Sequence, residues 1–160
     1  MKKYVLLLCI IVASVFVAKE LPLQSVSRSS SLIKEEATSP GLMGVVLING
    51  ATFQVTLAQT PEEQARGLGN ISSMPANAGM LFIFPTPDKY GFWMKDTLIP
   101  LDMIWLDEEK RIVYIEKEVK PESYPKIYTP SAPALYVLEI NAGLVDKNNI
   151  KPGQILEFVL

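Results

Sequence analysis

Leu101-Asp102-Met103-Ile104-Trp105-Leu106-Asp107-Glu108-Glu109-Lys110-Arg111-Ile112-Val113-Tyr114-Ile115-Glu116-Lys117-Glu118 consists of two β-rich runs around a short polar stretch. Leu101–Asp107 reads as a strand, Asp107–Lys110 as a turn and Arg111–Glu118 as the return, so the pair is expected to be an antiparallel hairpin. Such a hairpin needs further strands before its apolar residues can be buried. The flanking sequence supplies them. Upstream, Val45–Ile48 and Ala51–Leu57 surround Asn49-Gly50, the dipeptide that favours a two-residue hairpin turn. Met80–Phe84 reads as a strand closed by Pro85 and Pro87, and Gly91–Lys95 as another, ended before Pro100. Downstream, Pro121 to Pro133 is a proline-rich loop, Ala134–Ile140 a strand, and Gln154–Leu160 a closing strand after Pro152-Gly153.

Two helices interrupt this pattern. Thr60-Pro61-Glu62-Glu63 combines an N-cap, a proline at the first helical position and a capping-box glutamate, which predicts a short helix to about Leu68 that stops at Gly67 or Gly69. A second helix is expected over Ala142–Asn149, capped by Asn141. With about eight short strands the fold class is mainly β (α+β), an antiparallel β-sandwich or small barrel-like single domain with two short helices.

The N-terminus has a different character. Met1-Lys2-Lys3, the apolar stretch Tyr4–Ala18 and then Lys19-Glu20 have the charged and apolar regions of an export signal. As a helix that stretch reaches roughly 22 Å, short of the ~30 Å a membrane span requires. Length favours a cleaved signal peptide, whereas Phe16 departs from the small-x-small cleavage pattern at Ala18 and favours an uncleaved anchor; both readings stay open. Cys9 reads as a small hydrophobe within this segment. Residues 19–42 are serine-rich and aperiodic and read as a flexible tether. Residues 43–160 then form the folded unit, 118 residues long, enough for one core. The expected location is extracytoplasmic, with membrane contact through the N-terminal segment if it is uncleaved.

Composition limits the chemistry. The chain has no histidine, and its one cysteine is Cys9. Nucleophilic pairs that need an imidazole, thiolate or imidazole zinc sites and an intramolecular disulfide are therefore excluded. Without residues 1–18 the chain keeps 13 basic and 17 acidic side chains, a net charge of −4, so no nucleic-acid partner is expected.

Three blocks resemble one family: Gly79-Met80-Leu81-Phe82, then Phe92-Trp93-Met94-Lys95-Asp96-Thr97 leading into Ile99-Pro100-Leu101-Asp102, then Val137-Leu138-Glu139-Ile140-Asn141-Ala142-Gly143. They are similar to the signature blocks of domain-of-unknown-function family 192, in the same order, over Ala51 to Leu160. The resemblance implies a compact β-rich domain, commonly exported in bacteria and archaea, with no established activity. Gly69, Asp96 and Ser123 stand where that family usually has methionine, asparagine and, in many members, cysteine.

The candidate site comes from residue types that apolar strands do not explain. Read as a strand, the Phe92–Thr97 block puts Trp93, Lys95 and Thr97 on one face, an aromatic surface with polar groups at its edge such as a glycan or peptide site uses. Asp102 shares a face with Ile104 and Leu106, and Glu139 with Leu135 and Val137. A carboxylate on an apolar face needs a partner, because burying it alone is costly. Trp93, Lys95, Asp102, Glu139 and Asn141 are therefore the candidate ligand-binding residues, Asn141 because a helix entry could receive an anion. Asp102, Glu139 and Lys95 are the catalytic candidates, as an acid/base pair with its cation. Asp102 and Glu139 could alternatively hold a hard cation or serve as architecture. Neither a metal nor a cofactor is assigned. Tyr124 and Tyr128, flanked by prolines, are expected to be exposed, and the methionines to fill the core. The expected function is binding of a small or extended envelope ligand, a glycan or peptide. The alternatives are a carboxylate-dependent hydrolase of glycans or peptides and a non-catalytic structural or interaction module.

Overall fold

The computed structural model describes residues 43–160, and the expected signal and tether lie outside them. Strands β1 (Met43–Ile48) and β2 (Ala51–Ala58) pair antiparallel through Asn49 and Gly50, whose φ angles of 50° and 79° are those of the two-residue turn. Helix α1 (Pro61–Arg66) carries the full capping box: the Glu63 N–H donates to the Thr60 hydroxyl, and the Thr60 and Gln59 N–H groups donate to the Glu63 carboxylate. Those main-chain donors, Thr60 first, hold the Glu63 carboxyl below its usual range. The helix stops at Gly67. Strands β3 (Ala78–Asp88), β4 (Leu101–Leu106), β5 (Ile112–Val119) and β6 (Ala134–Asn141) follow, then helix α2 (Leu144–Lys147) and strand β7 (Glu157–Val159).

The strands form one sheet in the order β5-β4-β6-β3-β2-β1-β7. Every neighbouring pair is antiparallel except β2 and β3, which α1 and the following loop connect in parallel. The domain is thus mainly β with two short helices, and its sheet is mixed rather than wholly antiparallel. No ladder joins β5 to β7, so the sheet is not closed. It nevertheless curls until the segment before β7 meets the start of β5, where the Ile112 N–H donates to the Gln154 carbonyl and the Leu156 N–H to the Lys110 carbonyl.

Two apolar layers follow from strand alternation. Inside the curl, Phe53, Val55, Leu81, Ile104 and Leu138 pack with Val145 of α2. On the other face, Phe82, Met103, Trp105 and Val137 are covered by Leu68, Met94 and Tyr128 from loops. Strand β4 is buried at all six positions because it has a core on each side. Trp105 anchors the second layer: its indole N–H donates to the Tyr90 carbonyl at 2.9 Å, and the Phe92 ring meets it edge-on at 5.7 Å.

Three local expectations are corrected. β3 does not end at Pro85 but runs to Asp88, because the pairing with β2 stops at Phe82 and leaves an open edge on which prolines at alternate positions cost no ladder bond. Gly91–Lys95 is not a strand. Only Phe92 bridges Tyr128, and the chain then turns at Asp96, with φ 56°, before a second neighbour can pair. The second helix is only Leu144–Lys147 and starts from Gly143, with no side-chain cap from Asn141.

Gly79 carries a further consequence. A Cβ there would lie 2.5 Å from the Glu139 carbonyl oxygen and 3.0 Å from the Ile140 side chain, so β3 and β6 can approach only without it. Gly79→Ala is expected to destabilise the domain by about 1–3 kcal/mol through overpacking. Urea unfolding followed by circular dichroism measures this, and an unchanged midpoint would show that the strands separate freely.

Candidate functional site

Register decides what β6 presents to each layer. Glu139 pairs with Met80 of β3 and Met103 of β4, so it lies on the loop-covered face. Asp102 is one residue from Met103 and pairs with Ile140, so it points into the curl on the opposite face. The two carboxylates therefore flank the sheet and share no cleft. No acid/base pair or shared cation site of Asp102 and Glu139 exists in this arrangement.

Asp102 is fully buried and its oxygens are both occupied. The Glu118 N–H donates to Oδ1 and the Val145 N–H to Oδ2, each at 2.8 Å. It ties the end of β5, where Glu118 has φ 51°, to α2. Asn141 is also architectural: its amide donates to the carbonyls of Met74 and Pro75 at 3.1 and 3.0 Å, holding the loop before β3. Tyr128, expected at the surface, is buried beneath Lys126, whose ammonium lies 4.2 Å from the ring centroid, whereas Tyr124 is exposed.

Glu139 has a different environment. It is 4% exposed, and no described group forms a hydrogen bond or ion pair with its carboxyl. Burial alone pushes that carboxyl up to about 8, so it is mostly neutral at pH 7. It lines a cavity of about 190 Å³ together with Arg66, Tyr90, Trp93, Lys95 and Thr97. Three of the candidate ligand-binding residues, Trp93, Lys95 and Glu139, thus meet at one place, and Asp102 and Asn141 lie elsewhere.

Loops and α1 build the rest of the wall. The Gln64 amide of α1 donates to the Ile83 carbonyl at 3.0 Å, which seats the helix against the tail of β3. Phe84 stacks on Tyr90 at 3.6 Å, and Phe92 meets Phe82 edge-on at 4.8 Å. Trp93 is 49% exposed at this wall. The result is a recess in which aromatic side chains and a few polar groups converge, the form that small-ligand sites take. Arg66 and Tyr90 were not expected here. Locally, Arg66 is only the basic residue in the last turn of a helix, where it complements the dipole.

The DUF192 family model, described as "Uncharacterized ACR", matches residues 44–158. A protein of Thermococcus gammatolerans named UPF0127 protein is 30% identical over 106 residues, 65% of this chain and 65% of its own length. A UPF0127 protein of Thermococcus kodakarensis is 28% identical over 107 residues, 66% of this chain and 64% of its own length. The aligned part is thus a little under two thirds of either relative. A crystal structure of a protein of unknown function from Novosphingobium aromaticivorans is 36% identical with a TM-score of 0.67, covering 72% of this chain and 84% of that one. Another, from Sinorhizobium meliloti and described provisionally as a transcription regulator, is 34% identical with a TM-score of 0.68, covering 72% of this chain and 92% of that one.

Proposed function

This chain belongs to the DUF192 family, whose description names no activity, and from its own cavity we propose that it is a binding module for one small unit of an envelope glycan or peptide. The observation that carries this reading is Glu139, a buried carboxyl with no hydrogen-bond partner among the described residues, lining a cavity to which five aromatic residues contribute. Leaving such a group unpaired costs stability. A ligand hydroxyl or amide entering the cavity supplies the missing hydrogen bonds, and Trp93 offers it a flat apolar surface. The cavity brings one carboxyl to the ligand rather than two, which favours binding over paired-carboxylate hydrolysis.

The N-terminal segment supports a site outside the cytoplasmic membrane, reached by export and held by the tether or released after cleavage. Among the described residues no helix is long and apolar enough to cross a membrane. The role suggested by the description of the Sinorhizobium relative is not favoured, because residues 43–160 hold 14 acidic against 10 basic side chains.

Fluorescence tests the reading. The protein has two tryptophans, Trp93 half-exposed at the cavity and Trp105 buried. A glycan fragment or short peptide that occupies the cavity is expected to protect Trp93 from acrylamide quenching and to raise the melting temperature of the full chain. Stabilisation without protection of Trp93 would place the ligand elsewhere, and no response to either ligand class would remove the proposal.

A further inference from the structure

We propose that the cavity selects a ligand that carries a carboxylate, held between the Glu139 carboxyl and the cations Arg66 and Lys95. This rests on the cavity being the ligand site and names what that site takes. Arg66 and Lys95 both line it, and the only ion pair among the described residues, Lys117 with Asp146, involves neither. The acidic groups that stand nearest along the chain do not line the cavity. The Glu63 carboxylate is turned back onto the Gln59 and Thr60 N–H groups and feels Arg66 as its weakest influence without forming an ion pair with it, and Asp96 lies on the exposed turn. Tyr90, the remaining titratable group of the wall, donates its hydroxyl to the Thr86 carbonyl at 2.7 Å.

The wall therefore includes two cationic residues and one buried carboxyl, in a folded unit whose net charge is negative. No charged neighbour offsets the effect of burial on Glu139. An anionic group in that space meets both cations and accepts a hydrogen bond from the protonated carboxyl. A neutral group loses the charge-assisted contacts. An ionised Glu139 would instead repel the anion, so binding weakens as this proton leaves.

The same carboxylate chemistry is found on an acidic sugar and at a peptide C-terminus, and matched probes separate them. The full chain is titrated calorimetrically with glucuronate against glucose, and with N-acetyl-dialanine against its C-terminal amide. At neutral pH the carboxylate member of one pair is expected to bind about tenfold more tightly than its neutral counterpart, the worth of one charge-assisted contact. The pair that responds identifies the source. The double variant Arg66→Gln, Lys95→Gln is expected to abolish the difference. Glu139→Gln, which keeps a neutral donor, is expected to retain it and to lose the weakening between about pH 7 and pH 9. Equal binding within both pairs would overturn the carboxylate preference and leave the cavity as a ligand site. Absence of binding by all four probes would overturn both. A preference that survives the double variant would assign the anion to another surface.

Discussion

Between about pH 4.5 and pH 8 the folded protein is expected to lose stability as pH rises, and Glu139→Gln is expected to remove most of that loss. The Glu139 carboxyl titrates near 8 in the fold against 4.5 ordinarily. Within that window the folded state retains a proton that the unfolded chain has released, so each step up in pH favours unfolding. The contribution is fully present below pH 4.5 and is lost as pH rises through about 8. From the separation of the two values it amounts to roughly 5 kcal/mol as an upper figure. The other resolved changes act outside this window. Glu63 is lowered by the Thr60 and Gln59 N–H groups and loses its contribution only as pH falls below the ordinary carboxylate range, while Tyr114 and Lys117 are raised from values near 10, chiefly by hydrogen bonds to Glu116 and Asp146. Urea unfolding of the wild type and Glu139→Gln at pH 5, 6.5 and 8 measures the effect. Parallel pH profiles for the two proteins would show that Glu139 is already ionised and paired in the fold.

Asp102→Ala is expected to cost more than any surface substitution, about 3–5 kcal/mol, because it leaves two main-chain donors unmatched beneath the sheet. The Glu118 and Val145 N–H groups both end on this carboxylate, and Val145 is itself buried in the inner core. Asp102→Asn is expected to be costly as well, since its NH₂ would face an N–H where an acceptor is required. Hydrogen exchange at Glu118 and Val145 is expected to accelerate in both variants, together with a lower unfolding midpoint. A variant that unfolds like the wild type but no longer binds a cavity ligand would return Asp102 to the site.

These two carboxylates show where sequence reading stops. In each case an acidic residue on an apolar strand face is legible as a group that requires a partner, because burial of an isolated charge is unfavourable whatever the fold. The partner is not legible. Asp102 found main-chain donors from the hairpin partner β5, 16 residues on, and from α2, 43 residues on, whereas Glu139 found a cavity. The Phe92–Thr97 block shows the same limit. Its composition marks Trp93 and Lys95 as site residues, but the face assignment assumed a strand, and the turn at Asp96 replaced it. Arg66 gave no signal, because a cation in the last turn of a helix is ordinary until a neighbouring loop makes it part of a wall.

The elements whose geometry is set within a few residues were determined by the sequence alone: the Asn49-Gly50 turn, the Thr60–Glu63 capping box, the Leu101–Val119 hairpin, and the mainly β class with two short helices. Each depends on local dihedral preference or on the two-residue period of a strand. The period says which residues of one strand share a face, but it does not say which face of the next strand joins them. Only tertiary structure decided that, through the pairing of Met103 with Glu139 and of Asp102 with Ile140. Because a one-residue change of register moves a side chain from one layer to the other, this pairing separated two carboxylates that look equivalent in sequence. It made one a brace for the fold and left the other facing a cavity.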